Sequence, residues 1–381
     1  MSGNSGSLNE IINVANRKDL SESGGPQMYR GGDFERYWAI VHMFDLEDKG
    51  DDFLFLFESI QDIVVLDSTI DPKCIRIYQV KKNERGRWSW GELTALPDPN
   101  RRKKSSKEQT LSHEKLKKSI IGKLYASVIA FKTLSCEGFF ISNTGCDLPL
   151  ADGQNAATSL HCSLSGLSES HFALLTSGLA TIYQNDPRPN LSKIKVSRVK
   201  LSPDDLETHV TGVIFNYLHK HHPDHSGQTK CLVESLFSKV SRLTRKTEFC
   251  PSFDEMRQER GFSRDEFRRD LAQVVELPDI HRWLQLMTNQ LASEGMPLED
   301  VIGIESATVA IYRRALSGIQ DKGAKHIIQN CDDWIKDNLR QHKLLDNFES
   351  AFDFLQRKHP TLRRNELLAH FALRMIFNAR T

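Results

Sequence analysis

Gln61-Asp62-Ile63-Val64-Val65-Leu66-Asp67, then a turn from Ser68 to Lys73, then Cys74-Ile75-Arg76-Ile77-Tyr78-Gln79-Val80-Lys81 is the stretch whose reading decides the fold. Both arms are β-branched and apolar and Asp71-Pro72 sits between them, so the segment reads as two short antiparallel strands. Side chains alternate along a strand, which puts Asp62, Val64 and Leu66 on one face and Ile75, Ile77, Gln79 and Lys81 on one face of the other arm. Folding about the turn sets Leu66 opposite Ile75, Val64 opposite Ile77 and Asp62 opposite Gln79, with Lys81 just beyond. Three polar groups thus collect at one end of an apolar face.

Burying a charge without partners is expensive, and a hard divalent cation would resolve the conflict. Mg²⁺ or Mn²⁺ takes oxygen ligands such as the Asp62 carboxylate and the Gln79 carbonyl, while a nearby lysine can hold a phosphate or a nucleophilic water. The alternative is that Gln79 and Lys81 end an edge strand with their heads in water. Upstream, Gly31-Gly32-Asp33-Phe34-Glu35 opens a helix with Asp33 as the expected N-cap, followed by Phe34, Tyr37, Trp38, Val41 and Phe44 at helical spacing. Glu35 lies in the first turn, where the helix dipole favours a carboxylate. Glu58, an even number of residues before Asp62, shares its face if the backbone runs straight; a bulge at 59–61 would remove that.

Gln79-x-Lys81 after Asp62 resembles the PD-(D/E)xK nuclease motif in the QxK form of Mrr-like restriction endonucleases, and Gly-x-x-Phe-Glu resembles the signature those nucleases place on their first helix. The whole succession, Ser23-Gly24-Gly25-Pro26-Gln27, then Glu35, Phe57 to Asp67, Tyr78 to Lys81, Trp88 and Leu93, is similar to a domain-of-unknown-function family of prokaryotic antiphage nucleases. That domain occurs in CBASS effectors carrying a SAVED sensor and as the partner of HerA-type ATPases. The resemblance covers roughly residues 20 to 215. It implies catalytic roles for Asp62, Gln79, Lys81 and Glu35, a metal held by Asp62, Gln79 and Glu58 or Glu35, and double-stranded DNA as substrate. Many relatives carry two adjacent acids where this chain has Gln61-Asp62, leaving Asp62 as the strand-borne acid.

At 381 residues with 39% hydrophobic and 27% charged residues, the chain reads as a globular protein of two domains. It has no apolar run of membrane-spanning length and no secretory leader, so a cytoplasmic location without membrane partners is expected. Seven scattered cysteines with no C-x-x-C pair argue against a disulfide framework and a structural zinc site. Net charge is only +1, yet residues 99–123 hold nine Lys or Arg against two Glu. Such a run is usually a solvated loop; beside a phosphodiester-cleaving site, Arg101, Arg102, Lys103, Lys104, Lys115 and Lys118 would also track a phosphate backbone.

In chain order, residues 1–25 are expected to be a flexible arm with one helical turn near Leu8 to Ala15. A nuclease domain over 26–222 is expected as a restriction-endonuclease-like α-β-β-β-α-β core: helix 33–47, strand 53–58, the hairpin, a helix within His113 to Leu134, and a strand at Glu137 to Asn143. A further strand near Lys193 to Leu201 and a helix capped by Ser202-Pro203-Asp204-Asp205 follow. Trp88 and Trp90 read as packing more readily than as base-stacking platforms. The histidines of His219-Lys220-His221-His222-Pro223-Asp224-His225 read as a polar linker, lacking companion ligands. Residues 230–381 read as an all-helical domain suited to homo-oligomerisation and docking, with a capped helix start and hydrophobic staple over Phe262 to Phe267 and about five amphipathic helices after Ile280. Phe253 to Val275 could also be taken as a helix-turn-helix. The leading functional expectation is a metal-dependent DNA endonuclease working with a HerA-type hexameric ATPase. The alternatives are a cyclic-oligonucleotide-activated nuclease and a non-catalytic assembly or nucleic-acid-binding subunit.

Overall fold

Apolar strand sequences flanked by turn residues build a seven-stranded mixed sheet. The computed structural model describes residues 4–17, 19–20, 31–84, 86–100, 113–223, 228–246, 249–276, 280–316, 322–338 and 343–378. It divides into two compact units, one of Met1–Val210 with Val240–Glu266 and the other of Thr211–Lys239 with Phe267–Thr381.

In the first unit, β1 (Leu54–Phe57), β2 (Ile63–Leu66) and β3 (Cys74–Lys81) form an antiparallel meander. The pairing Leu66↔Ile75 and Val64↔Ile77 is the register that the hydrophobic alternation specifies. After the small β4 (Trp88–Ser89), a crossover containing the helix Ile120–Ala130 delivers β5 (Ser135–Ser142) parallel to β3. That connection needs an intervening helix, because parallel neighbours cannot be joined by a tight turn. β6 (Cys146–Asp147) pairs with β4 in a separate ribbon, while β7 (His161–Ser163) and β8 (Ile194–Arg198) extend the main sheet beyond β5. The other edge is closed by β9 (Gly261–Ser263), giving the order β7-β8-β5-β3-β2-β1-β9.

Both faces of β1 and β2 are buried, which is why their sequences are apolar throughout. Leu54, Leu56, Val64, Ile75 and Ile77 share one core with Ile121, Leu124 and Val128 of the crossover helix. On the opposite face lies α2 (Gly31–Lys49), defined after an N-terminal helix α1 (Asn4–Ala15). Its Trp38 packs on Tyr78 with ring centroids 4.9 Å apart, and His42 meets Phe55 edge-on at 5.9 Å.

Gly138 of β5 lies directly against the crossover helix: a Cβ there would stand 2.8 Å from Leu124 Cγ and 2.9 Å from Val128 Cγ2. Gly138→Ala is therefore expected to destabilise the chain by about 1–3 kcal/mol through overpacking, read as a lowered denaturation midpoint. Combining it with Val128→Ala should recover part of that loss, since the two changes share one contact.

Several expectations are corrected. Within the expected N-terminal arm, Asn4–Ala15 is a docked helix longer than the one turn expected, while residues 1–3, 18 and 21–25 lie outside the described residues: Ile11, Ile12 and Val14 are buried in the main core, and the Glu10 carboxylate accepts the backbone N–H groups of Lys132, Thr133 and Leu134. Residues 253–276 are not a helix-turn-helix. The helix Phe253–Arg260 runs into β9, which pairs with β1, so Val240–Glu266 belongs to the sheet-bearing unit. The Ser263 capping box is present, with Glu266 accepting from Ser263 N–H and Oγ–H at 2.8 Å each. Asp33 is inside the first turn of α2, paired with Arg36 at 3.0 Å, because the helix begins two residues earlier at Gly31. The helix Glu169–Ile182, for which no expectation is stated above, carries buried Leu175 and Leu179 at i, i+4.

Trp88 and Trp90 pack. Trp88 donates to Ser142 Oγ at 2.8 Å, and Trp90 is edge-on to His171 and donates to the Pro97 carbonyl. All seven cysteines are free thiols, five of them buried. The second unit contains the five expected helices, Ile280–Ser293, Leu298–Leu316, Lys322–Asn338, Leu344–Lys358 and Arg364–Asn378, closed around a core that includes Trp334, Phe348 and Phe371. Among the described residues no helix is long and apolar enough to cross a membrane. The His219–His221 segment ends a helix, with His219 stacked on Phe215 and His221 tilted against Tyr217; Asp224 and His225 lie outside the described residues.

Candidate active site

The chain leaves β1 through a five-residue excursion, 58–62, before β2 begins. Glu58 adopts a left-handed conformation, φ 48°, and its N–H bonds back to the Asp62 carbonyl at 3.0 Å. A non-glycine residue in that region is held by its surroundings. Here the buried Arg260, at the end of the helix leading into β9, donates from Nη1 to the Glu58 carbonyl at 2.9 Å. Arg260 is a site-supporting residue that no local pattern announces, since its partner is 202 positions away.

Through this turn the backbone is not extended, so spacing alone does not put Glu58 on the Asp62 face. The straight-backbone inference fails, and Glu58 is half-buried at the turn's start while Asp62 is 2% exposed. Asp62 is anchored on β3: Oδ2 accepts the Val80 N–H at 2.7 Å and Oδ1 accepts Lys81 Nζ at 3.1 Å. Lys81 keeps 29% of its side chain exposed, so one end of the pair is buried and the other faces solvent. Continuing the β2–β3 register past Ile63↔Tyr78 brings Asp62 across from the buried Gln79, as the alternation requires. Gln61 turns away: its Nε2 donates to the Leu20 carbonyl at 3.2 Å and to Ser127 Oγ at 3.1 Å.

Glu35 reaches the same corner from α2. Contacts along that helix fix its position: Arg36 bonds Asp33 and Thr244, His42 is 3.2 Å from the Tyr78 hydroxyl, and Glu47 pairs with Arg264 at 2.8 Å. Burial lowers the basicity of His42 to a pKa of about 3, leaving a neutral ring whose role is packing. Glu35 is buried, and its carboxyl is held well above the ordinary carboxylate range, first by desolvation, then by the negative charges of Asp62 and Glu58; Lys81 and Arg36 oppose the shift. Its Oε1 is buried without a hydrogen-bond partner among the described residues. A buried, partnerless carboxylate oxygen beside two further carboxylates is an unfavourable arrangement that a divalent cation would relieve. Among the described residues, no three His, Cys, Asp or Glu side chains form a complete cage by themselves. Mg²⁺ does not need one, because it ordinarily takes one or two carboxylates and retains waters. The residues therefore fit such an ion.

Of the basic residues singled out for DNA, Lys115 and Lys118 are exposed in the helical stretch 113–118, whereas Arg101, Arg102, Lys103 and Lys104 lie outside the described residues.

A mixed sheet with acids and a lysine gathered at the ends of adjoining strands is a framework for hydrolytic chemistry on phosphate esters. The family model of the Cap4 dsDNA endonuclease domain matches residues 23–243, more than half of the chain. The chain belongs to that family and is a nuclease of antiphage-defence type. No curated protein and no solved structure matches it.

Proposed function

We propose that the chain is a Mg²⁺-dependent endonuclease of double-stranded DNA, an antiphage effector whose catalytic site is a PD-(D/E)xK site in the QxK form of Mrr-like nucleases. The observation that carries the reading is the buried Asp62 bonded to Lys81, with the partnerless Glu35 oxygen beside it. Asp62, Gln79 and Glu35 or Glu58 would hold the ion, with Mn²⁺ an acceptable substitute; bound there, it would polarise the scissile phosphate and acidify a water. The chain's own contribution is positional and electrostatic. The Val80 N–H fixes the Asp62 carboxylate, Asp62 aims the Lys81 ammonium, and Lys81 meets the charge that grows on the phosphate during attack. The exposed Lys115 and Lys118, with the basic run before them, would supply salt-sensitive backbone contacts.

The restraint and delivery of this activity are assigned to a partner, a HerA-type hexameric ATPase, docked through the helical second unit, which would also carry homo-oligomer contacts. Trp283, Leu286, Leu298 and Ile302, on two consecutive helices of that unit, are 45–68% exposed, and exposed apolar side chains of this size in succession support a protein-binding face.

The test is cleavage of supercoiled plasmid by the full chain, with and without Mg²⁺, and with and without a HerA-type ATPase and ATP. Lys81→Ala should reduce cleavage roughly 10²–10³-fold while leaving Mg²⁺ affinity within a few-fold of wild type, as expected for a group that acts on the phosphate. Wild-type protein inactive under every combination would overturn the reading.

A further inference from the structure

Beside Leu20 and the crossover helix, both of which Gln61 reaches from the turn, lies a cavity of about 450 Å³ lined by none of the candidate catalytic residues. Its size is within the range of roughly 300–1,000 Å³ common for small-molecule sites. Four cations line it, Arg17, Lys117, Lys123 and Lys132, against one carboxylate, Asp19, which Arg17 engages through two hydrogen bonds of 3.1 and 2.6 Å. The remaining wall is largely apolar and aromatic, with Ile129, Ile182 and the Tyr183 ring. Tyr183 donates to the Gly122 carbonyl at 3.2 Å and its ring is tilted against Tyr125, with centroids 5.8 Å apart. A lining that combines cations with apolar and aromatic side chains suits a ligand with a phosphate and a base.

The cavity is also wired to the catalytic turn. Leu20 lines it, and Ser127 lies next to the lining residue Ala126. Gln61 holds both by its amide N–H groups, and Gln61 is the neighbour of Asp62. Its own Oε1 is buried without a hydrogen-bond partner among the described residues, so the amide is only half satisfied in this state. We propose that this cavity is a second site for a phosphate ester of mononucleotide size, and that Gln61 is a positioning residue that transmits its occupation to Asp62. Filling the cavity moves Leu20 or the crossover helix against Gln61 and so resets the turn that carries Asp62. The transmission half of the proposal rests on the metal reading of the Asp62 site; the binding half does not.

Calorimetric titration of the full chain without metal separates them. The probes are AMP, which chelates Mg²⁺ weakly, a short DNA duplex, and adenosine as the phosphate-free control. AMP should bind, adenosine should not, and the exposed-lysine double variant Lys117→Ala/Lys132→Ala should lose at least tenfold in AMP affinity. A loss confined to the duplex would assign the phosphate to a DNA backbone instead of a free nucleotide. Neither probe binding, or binding indifferent to the two lysines, overturns the site. For transmission, bound AMP should change Mg²⁺ affinity about fivefold or more in the wild type, and Gln61→Leu should still bind AMP yet lose that change. A change that survives in Gln61→Leu overturns the role of Gln61. Absence of Mg²⁺ binding in the wild type would count against the nuclease reading and the transmission built on it, leaving the AMP result to stand alone.

Discussion

Asp62→Asn is expected to abolish DNA cleavage, by about a thousandfold or more, while the chain remains folded. Removing a single preorganised electrostatic group from a catalytic site ordinarily costs about 10²–10³-fold, and Asp62 serves two purposes at once. On the proposed reading it would be the buried acid that holds the metal, and through Oδ1 it bonds Lys81. The amide has nearly the shape of the acid, so packing around this 2%-exposed side chain survives. Its NH2, however, must face one of two donors, the Val80 N–H or the Lys81 ammonium, because those occupy the two carboxylate oxygens. One contact becomes donor against donor and the lysine loses its guide.

Asp62→Ala separates the chemical loss from the structural one. It should be equally inactive, but it also leaves the Val80 N–H without its buried acceptor, a penalty of about 1–3 kcal/mol. Plasmid cleavage with denaturant titration distinguishes the two variants. Equal stability of Ala and Asn, or cleavage surviving in either, would contradict the arrangement described for Asp62.

The hairpin was legible because two periodicities agreed. Alternation in β2 and in β3 allows one register that buries Val64, Leu66, Ile75 and Ile77 together, and that register places Asp62 opposite Gln79 without further information. The five C-terminal helices were legible for the same kind of reason, each presenting its apolar residues at helical spacing. What failed depended on distant contacts. β9 reads locally as a helix start, and its neighbours Arg260 and Glu266 look like ordinary helix residues; only pairing with β1 makes residues 261–263 a strand. Glu58 had the right parity to join Asp62, but parity holds only for extended backbone, and Arg260 clamps Glu58 at φ 48°. Gln61 stood in sequence as a missing acid. In the structure it is a buried link to Leu20 and Ser127, so an acid at that position would have had to turn elsewhere to meet a metal.

Glu35→Gln should make the metal-free protein more stable and the nuclease inactive, a combination that a structural carboxylate would not produce. Burial and the charges of Asp62 and Glu58 raise the Glu35 pKa in the folded state above its unfolded value. Between those two values the folded chain binds more protons than the unfolded chain, so stability is highest at low pH and falls as pH rises through the window. The slope there approaches about 1.4 kcal/mol per pH unit for one proton. A glutamine cannot ionise, so the variant lacks this loss, and its advantage over wild type should grow from mildly acidic pH upward. Mg²⁺ is expected to reverse the order. If the proposed ion binds at Glu35, it should displace the Glu35 proton, so that its affinity rises with pH, protons are released and the fold gains stability by mass action. Glu35→Gln should bind Mg²⁺ more weakly and without that pH dependence. Melting curves at pH 6 and 8.5, with and without Mg²⁺, should therefore cross: variant above wild type without the ion, wild type gaining on it or passing it with the ion. A variant less stable than wild type at the higher pH without metal would mean that Glu35 is held by partners of its own and is not strained toward a cation.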